Sequence, residues 1–139
     1  MAYTIGVDVG GTKVLGGVVD ESGKVLKTAR RDTPREGGAL LNQAIADVAK
    51  ELMADYSVQS IGVSAAGFVS SDRKTMLATP NIAGWNGVNL DDELTRLIGK
   101  SVVIENDANA AAWGEAKFGA GIGKKNVLLL TIGTGIGGG

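Results

Sequence analysis

Cysteine and histidine are both absent from the 139 residues, and each absence removes a class of chemistry. Without cysteine there is no disulfide, no thiolate nucleophile and no thiolate metal site within the chain. Without histidine, proton transfer falls to Asp, Glu, Lys or Tyr. One-sided charge is lacking too: 14 basic and 15 acidic residues leave a net charge of −1. That balance argues against a broad electrostatic grip on nucleic acid or an anionic membrane, and neither is expected as a partner. No apolar run approaches the ~20 residues a membrane span requires. Met1-Ala2-Tyr3-Thr4 lacks the basic start and apolar stretch of a signal peptide. A soluble, cytoplasmic protein is the expectation.

What is present is a chain 44% hydrophobic, long enough for one domain that buries roughly two-thirds of its unfolded surface. Thr4–Val9 and Lys13–Val19 read as strands, and Asp20-Glu21-Ser22-Gly23 turns into a third over Lys24–Ala29. Gly23 falls where a hairpin needs positive φ. Arg30–Gly37 is a polar connection containing Pro34. Gly38–Tyr56 carries a helical stripe of Leu41, Ala44, Ile45, Val48, Ala49 and Leu52. Ser60–Ser64 is the next strand, and Ala65–Trp85 reads as irregular. Asn89 caps a short helix that Gly99 ends. Val102–Glu105 is a strand, Asp107–Phe118 an alanine-rich helix, Gly119–Lys125 a loop and Asn126–Ile132 a last, buried strand. The order predicts a mixed sheet: a β-meander, then parallel strands joined by helical crossovers.

Two glycine-rich turns each follow an apolar strand: Asp8-Val9-Gly10-Gly11-Thr12-Lys13, and Thr131-Ile132-Gly133-Thr134-Gly135-Ile136-Gly137-Gly138-Gly139. Consecutive N–H groups unshielded by Cβ atoms form a nest for phosphate oxygens. Thr12 and Lys13 add donors beside the first turn. A lone Gly-Gly also suits an ordinary hairpin, and the second run also suits a flexible tail. Together the two look like a weak internal repeat. Asp8, at the end of an apolar strand, is a costly place for an unpaired carboxylate and suits Mg²⁺ held through water.

Asn106-Asp107 opens a helix directly after a strand. Capping explains one of the pair, leaving the other to face a ligand. Parallel sheets bind ligands at the carboxyl ends of their strands, where Asp8, Asn106-Asp107 and Gly133 all fall. Ser64-Ala65-Ala66-Gly67 opens on the same edge, and the loop around Pro80-Asn81 can bring an amide there. Trp85 reads as a partly buried loop anchor ahead of a sugar-stacking ring. Packing or solvent exposure explains Trp113 and Glu115, and Lys124-Lys125 is a solvated loop.

Asp8–Lys13, Glu105-Asn106-Asp107-Ala108-Asn109-Ala110 and Thr131–Gly139, in this order and spacing, resemble the ROK family of sugar kinases and sugar-responsive repressors. Pro80-Asn81-Ile82-Ala83-Gly84-Trp85 and Ala112-Trp113-Gly114-Glu115 are most similar to its ATP-dependent glucose kinases. The resemblance covers the chain from end to end and implies an actin/hexokinase-like (ribonuclease H-like) α/β domain. It implies transfer of the γ-phosphoryl of ATP to the 6-hydroxyl of glucose. Asp107 would be the catalytic base, and Gly67, Asn81, Asn106 and Asp107 would bind sugar. Gly10, Gly11, Thr12, Lys13, Gly133, Thr134 and Gly135 would bind nucleotide, and Asp8 would hold Mg²⁺. Ala66 stands where the family commonly has proline. Residues 1–139 correspond to the N-terminal lobe. A structural zinc and the adenosine pocket belong to the C-terminal lobe, absent here, so inactivity of the chain alone is expected, with homo-oligomerisation at full length. The alternatives are a sugar-sensing protein of the same family and an inert half-domain.

Overall fold

Ile5, Val7 and Val9 are buried while Thr4, Gly6 and Asp8 between them are exposed, the period-two pattern of a strand covered on one face. In the computed structural model, which describes residues 2–133 and 135–139, this strand is β1 (Tyr3–Val9). After it come β2 (Lys13–Val19), β3 (Val25–Asp32), α1 (Gly38–Met53), β4 (Val58–Ala65), β5 (Phe68–Val69), β6 (Thr75–Ala78) and β7 (Val88–Asn89). The chain continues through α2 (Leu90–Ile98), β8 (Val102–Asn106), α3 (Asp107–Phe118), β9 (Leu130–Ile132) and β10 (Ile136–Gly138).

The main sheet has the order β3-β2-β1-β4-β8. β1, β2 and β3 form an antiparallel meander, and β4 and β8 run parallel to β1. This is the predicted mixed sheet, in an actin/hexokinase-like α/β fold. The expected local signals hold as well. Gly23 takes φ +84 and Gly99 φ +78, and the Asn89 side chain accepts from the Asp92 N–H at 3.1 Å.

One face of the sheet carries the core. Ile5, Val7, Val14, Val18, Ile61, Val63 and Ile104 pack beneath α1 and α2. Gly16 is what lets α1 come so close: a Cβ there would lie 2.4 Å from a Val48 methyl. The opposite face is open, and across it Gly17, Gly6 and Gly62 align with Val103 in one cross-strand row.

The loop before β7 is anchored on α1. The Gly38 N–H donates to the Ala83 carbonyl at 2.9 Å. Trp85 is fully buried, more deeply than its reading as a partly buried anchor. Its Nε1 donates to Asn42 Oδ1 at 2.9 Å, and Asn42 Nδ2 donates to Glu93 Oε2 at 2.6 Å. This chain of bonds ties loop, α1 and α2 together through a buried amide.

Four expectations are corrected. The stretch from Ala65 to Trp85 is not wholly irregular: it holds β5 and β6, which form a small antiparallel sheet with β7 beyond it. The third strand runs on to Asp32 because its outer residues need no burial; as an edge strand it carries Arg30 and Arg31, and Arg31 pairs with Glu51 of α1. Helix α1 stops at Met53, short of Tyr56. The last strand, expected to be buried over Asn126–Ile132, is short. Among the described residues β9 pairs only with β10, and Leu128, Leu130 and Ile132 are exposed. A continuous apolar run reads as buried, yet here the glycine run folds it back on itself rather than into the main sheet.

Candidate functional site

The parallel strands β1, β4 and β8 end side by side, with Val9, Ala65 and Asn106 in one row and Asp8, Ser64 and Glu105 in the row before it. The chain leaving each strand therefore emerges on one edge, the ligand-binding edge of such sheets.

From β8 the chain turns into α3. Asn106 Oδ1 caps the helix by accepting from the Asn109 N–H at 3.1 Å, while its Nδ2 donates to the Gly67 carbonyl at 2.9 Å. Capping thus falls to Asn106. Asp107, exposed in the first turn, uses one carboxylate oxygen to accept from the Ala108 N–H at 2.9 Å. No other bond to that carboxylate is seen among the described residues. A helix N-terminus is a favourable place for anionic groups, because its free N–H groups and the helix dipole both point at them.

A cavity of about 480 Å³ opens here, lined by Gly67, Pro80, Asn106, Asp107, Thr131 and Gly135 among others. Asp107, Asn106, Gly67 and the second glycine turn are thus brought together. Gly67 has φ +146, and a Cβ on it would meet the Ala78 carbonyl oxygen at 2.6 Å and Met76 sulfur at 2.9 Å. Its glycine identity is required by the backbone.

Asn81 lies elsewhere. It shares a smaller cavity, about 200 Å³, with Gly11, Thr33, Pro34 and Arg35, whereas Pro80 lines the larger one. In the first glycine turn the Gly10 N–H donates to the Lys13 carbonyl at 2.9 Å. That amide is spent on the hairpin, leaving Gly11, Thr12 and Lys13 exposed on the turn. Thr33 braces it: its N–H donates to the Thr12 carbonyl and its Oγ1 to the Gly10 carbonyl at 2.8 Å. The second glycine run follows β9, and the Gly133 N–H donates to the Gly135 carbonyl at 2.9 Å. Thr134 lies outside the described residues.

Asp8 is exposed rather than buried, so its burial gives no argument for a metal. Ser64 Oγ donates to its Oδ1 at 3.1 Å, and both line the open trough on the glycine face of the sheet. An exposed carboxylate with an oxygen to spare fits Mg²⁺, which takes one or two carboxylates and fills its shell with water and phosphate. Among the described residues no cluster of three or more His, Cys, Asp or Glu could hold a metal by itself.

Three contributors were invisible in the sequence. Thr33 carried only the signal of a hydroxyl beside Pro34. Asn42 stood as a polar residue in an apolar helix stripe. Arg73, whose Nε lies 3.1 Å from Glu105 Oε2, gave no signal.

Residues 4–139 match the ROK family. The chain is 46% identical over all 139 residues to the glucokinase of Streptomyces coelicolor and 42% identical over 136 residues to that of Thermotoga maritima. It spans 43% of the length of each. The Streptomyces griseus ROK glucokinase, solved in complex with glucose and AMPPNP, superposes with a TM-score of 0.92 at 45% identity, over 99% of this chain and 43% of that one. An inorganic polyphosphate/ATP-glucomannokinase from Arthrobacter superposes with a TM-score of 0.89 at 35% identity, over 99% of this chain and 57% of that one. Family match, identity and superposition agree, and the chain belongs to the ROK family.

Proposed function

We propose that this chain is the N-terminal lobe of a hexose kinase that transfers the γ-phosphoryl of ATP to the 6-hydroxyl of glucose, with Asp107 as the catalytic carboxylate. The observation that carries the reading is Asp107 in the first turn of α3, on a cavity shared with Gly67, Asn106 and the glycine turn at Gly135. Its support is a structural relative, 45% identical over nearly the whole chain, that holds glucose and AMPPNP.

Asp107 accepts the proton of the attacking hydroxyl, and the timing follows from acidity. An ordinary carboxylate is roughly 12 pH units less basic than an alkoxide, about 16 kcal/mol at 1.36 kcal/mol per unit. Deprotonation ahead of attack is too costly. Asp107 instead orients the hydroxyl and takes its proton late, as bonding to phosphorus acidifies it. Asn106, locked by its bonds to Asn109 and Gly67, offers a fixed edge to the sugar, and positioning of this kind lowers a barrier by several kcal/mol.

Gly11, Thr12 and Lys13 on one turn, and Gly133, Thr134 and Gly135 on the other, hold the nucleotide's phosphates. The Gly10 amide, committed to Lys13, contributes only the absence of a Cβ. Asn81 lies in the neighbouring space beside Gly11 and Thr33, so the sugar contacts on this lobe fall to Gly67, Asn106 and Asp107. Asp8 and Ser64 would hold Mg²⁺, which when bound neutralises phosphate charge. The other lobe supplies the remaining sugar contacts and the adenosine pocket, so this chain alone binds sugar without turning it over.

Titration of the chain with glucose by calorimetry tests the reading. Saturable binding that disappears in Asp107→Ala is the expected result. Binding unchanged by that substitution removes Asp107 from the sugar site.

A further inference from the structure

We propose that Arg73 and Glu105 form a positioning pair for the Asn106-Asp107 corner, and so set its affinity for sugar; this rests on the sugar reading of that cleft. Arg73 is the one non-glycine residue with positive φ among the described residues, at +59. It occupies the αL position of the β5–β6 turn, where its N–H donates to the Ser70 carbonyl at 2.9 Å. Left-handed backbone is strained for a side chain with a Cβ, and glycine would relieve it. A strained residue persists where something else over-determines it.

Two contacts do so. The Arg73 carbonyl accepts from the Ile104 N–H at 3.1 Å, covering the free edge of β8, and its Nε lies 3.1 Å from Glu105 Oε2. Only the second needs arginine, since any residue supplies the carbonyl.

Glu105 spends its other oxygen on the corner itself. Oε1 accepts from the Asn106 N–H at 2.8 Å and from Asn109 Nδ2 at 3.3 Å. One carboxylate thus holds the last residue of β8 and the first turn of α3, the segment that presents Asp107. Glu105 is less than one-quarter exposed, whereas Arg73 is mostly exposed. The guanidinium has two effects on it. It fixes the carboxylate in the rotamer that reaches Asn106 and Asn109, and it offsets a second negative charge two residues from Asp107. Without that offset the corner would repel the phosphates arriving beside it.

A purely structural role would only fasten the β5–β6 turn to β8. Arg73→Gly separates the two roles, because glycine keeps the backbone bonds and relieves the αL strain while removing the guanidinium. The chain and this variant are compared in three measurements: thermal unfolding, glucose titration by calorimetry, and hydrogen exchange of the Asn106 amide by NMR. The expected result is an unfolding midpoint equal to or above the parent's. Glucose dissociation constants should rise roughly two- to fivefold and Asn106 exchange speed up by a similar factor, the scale of a partly exposed ion pair. Glu105→Gln, which leaves the fold's apolar core untouched, should raise both quantities in the same direction. Unchanged Asn106 exchange in Arg73→Gly overturns the proposal, as does glucose affinity that falls only in step with stability. If the parent chain binds no glucose, the sugar reading of this chain fails instead, and the exchange comparison alone decides whether the pair orders the corner.

Discussion

Replacing Gly67 by alanine should unfold the β4–β5 loop from the corner it supports. The methyl group would sit 2.6 Å from the Ala78 carbonyl oxygen, 2.9 Å from Met76 sulfur and 3.1 Å from Thr79 Cβ, at a φ of +146. Neither backbone carbonyl nor buried sulfur can yield freely, so the loop must move. Backbone strain of this kind costs about 1–3 kcal/mol. Movement of Gly67 also breaks the 2.9 Å bond from Asn106 Nδ2, worth about 1 kcal/mol. The sum is roughly 2–4 kcal/mol, or a fall of roughly 7–14 °C in unfolding midpoint for a domain of this size. Thermal unfolding followed by far-ultraviolet circular dichroism measures it. Gly62→Ala is the control, because a Cβ there meets nothing within 4 Å and needs no positive φ. A Gly67→Ala chain as stable as the Gly62→Ala chain would refute the steric account of this loop.

Three further outcomes are expected. Asn42→Ala should destabilise the chain by about 2–4 kcal/mol in urea unfolding, because it leaves the Trp85 indole N–H buried without its acceptor; Trp85 emission should shift to the red, and no change in either would dismiss the buried relay. The Asp20 carboxyl is held below its ordinary value of 3.8, first by the Ser22 hydroxyl and then by the Lys24 amide. A depressed folded-state value contributes stability present above the unfolded value and lost as pH falls through the folded one, so Asp20→Asn should flatten the stability–pH curve below about pH 4 and leave its neutral limb parallel to the parent's. Glucose binding by the chain should vanish in Asp107→Ala, as set out above.

The legible parts of this molecule were those with local causes. Period-two burial in Thr4–Val9, the Leu41–Leu52 stripe, the Asn89 cap and the αL glycines Gly23 and Gly99 each reflect neighbours in sequence. The β5–β6 turn escaped notice because Arg73 occupies the position where glycine would have signalled it. The exposure of Leu128, Leu130 and Ile132 escaped because an apolar run does not say which partner covers it. The carboxyl-edge convergence of Asn106, Asp107 and Gly67 was readable from strand order; the place of the second glycine turn was not, since β9 lies outside the main sheet. The placement of Asn81 beside Gly11 was not either, since it depends on how the loop after Thr79 docks on the start of α1, where the Gly38 N–H donates to the Ala83 carbonyl. Asp8 was read as a buried cost and proved an exposed carboxylate bonded by Ser64, because the sheet face that carries it is open.

The most direct test joins this chain, in place of the matching N-terminal 43%, to the remainder of the Streptomyces coelicolor glucokinase and assays ATP-dependent glucose phosphorylation. The joined protein should turn over, and Asp107→Ala within it should lower kcat by roughly a hundredfold or more, the scale of a lost general base, while glucose binding falls less. Turnover in the Asp107→Ala protein equal to that of its parent would contradict the assignment of Asp107 as the carboxylate that receives the proton.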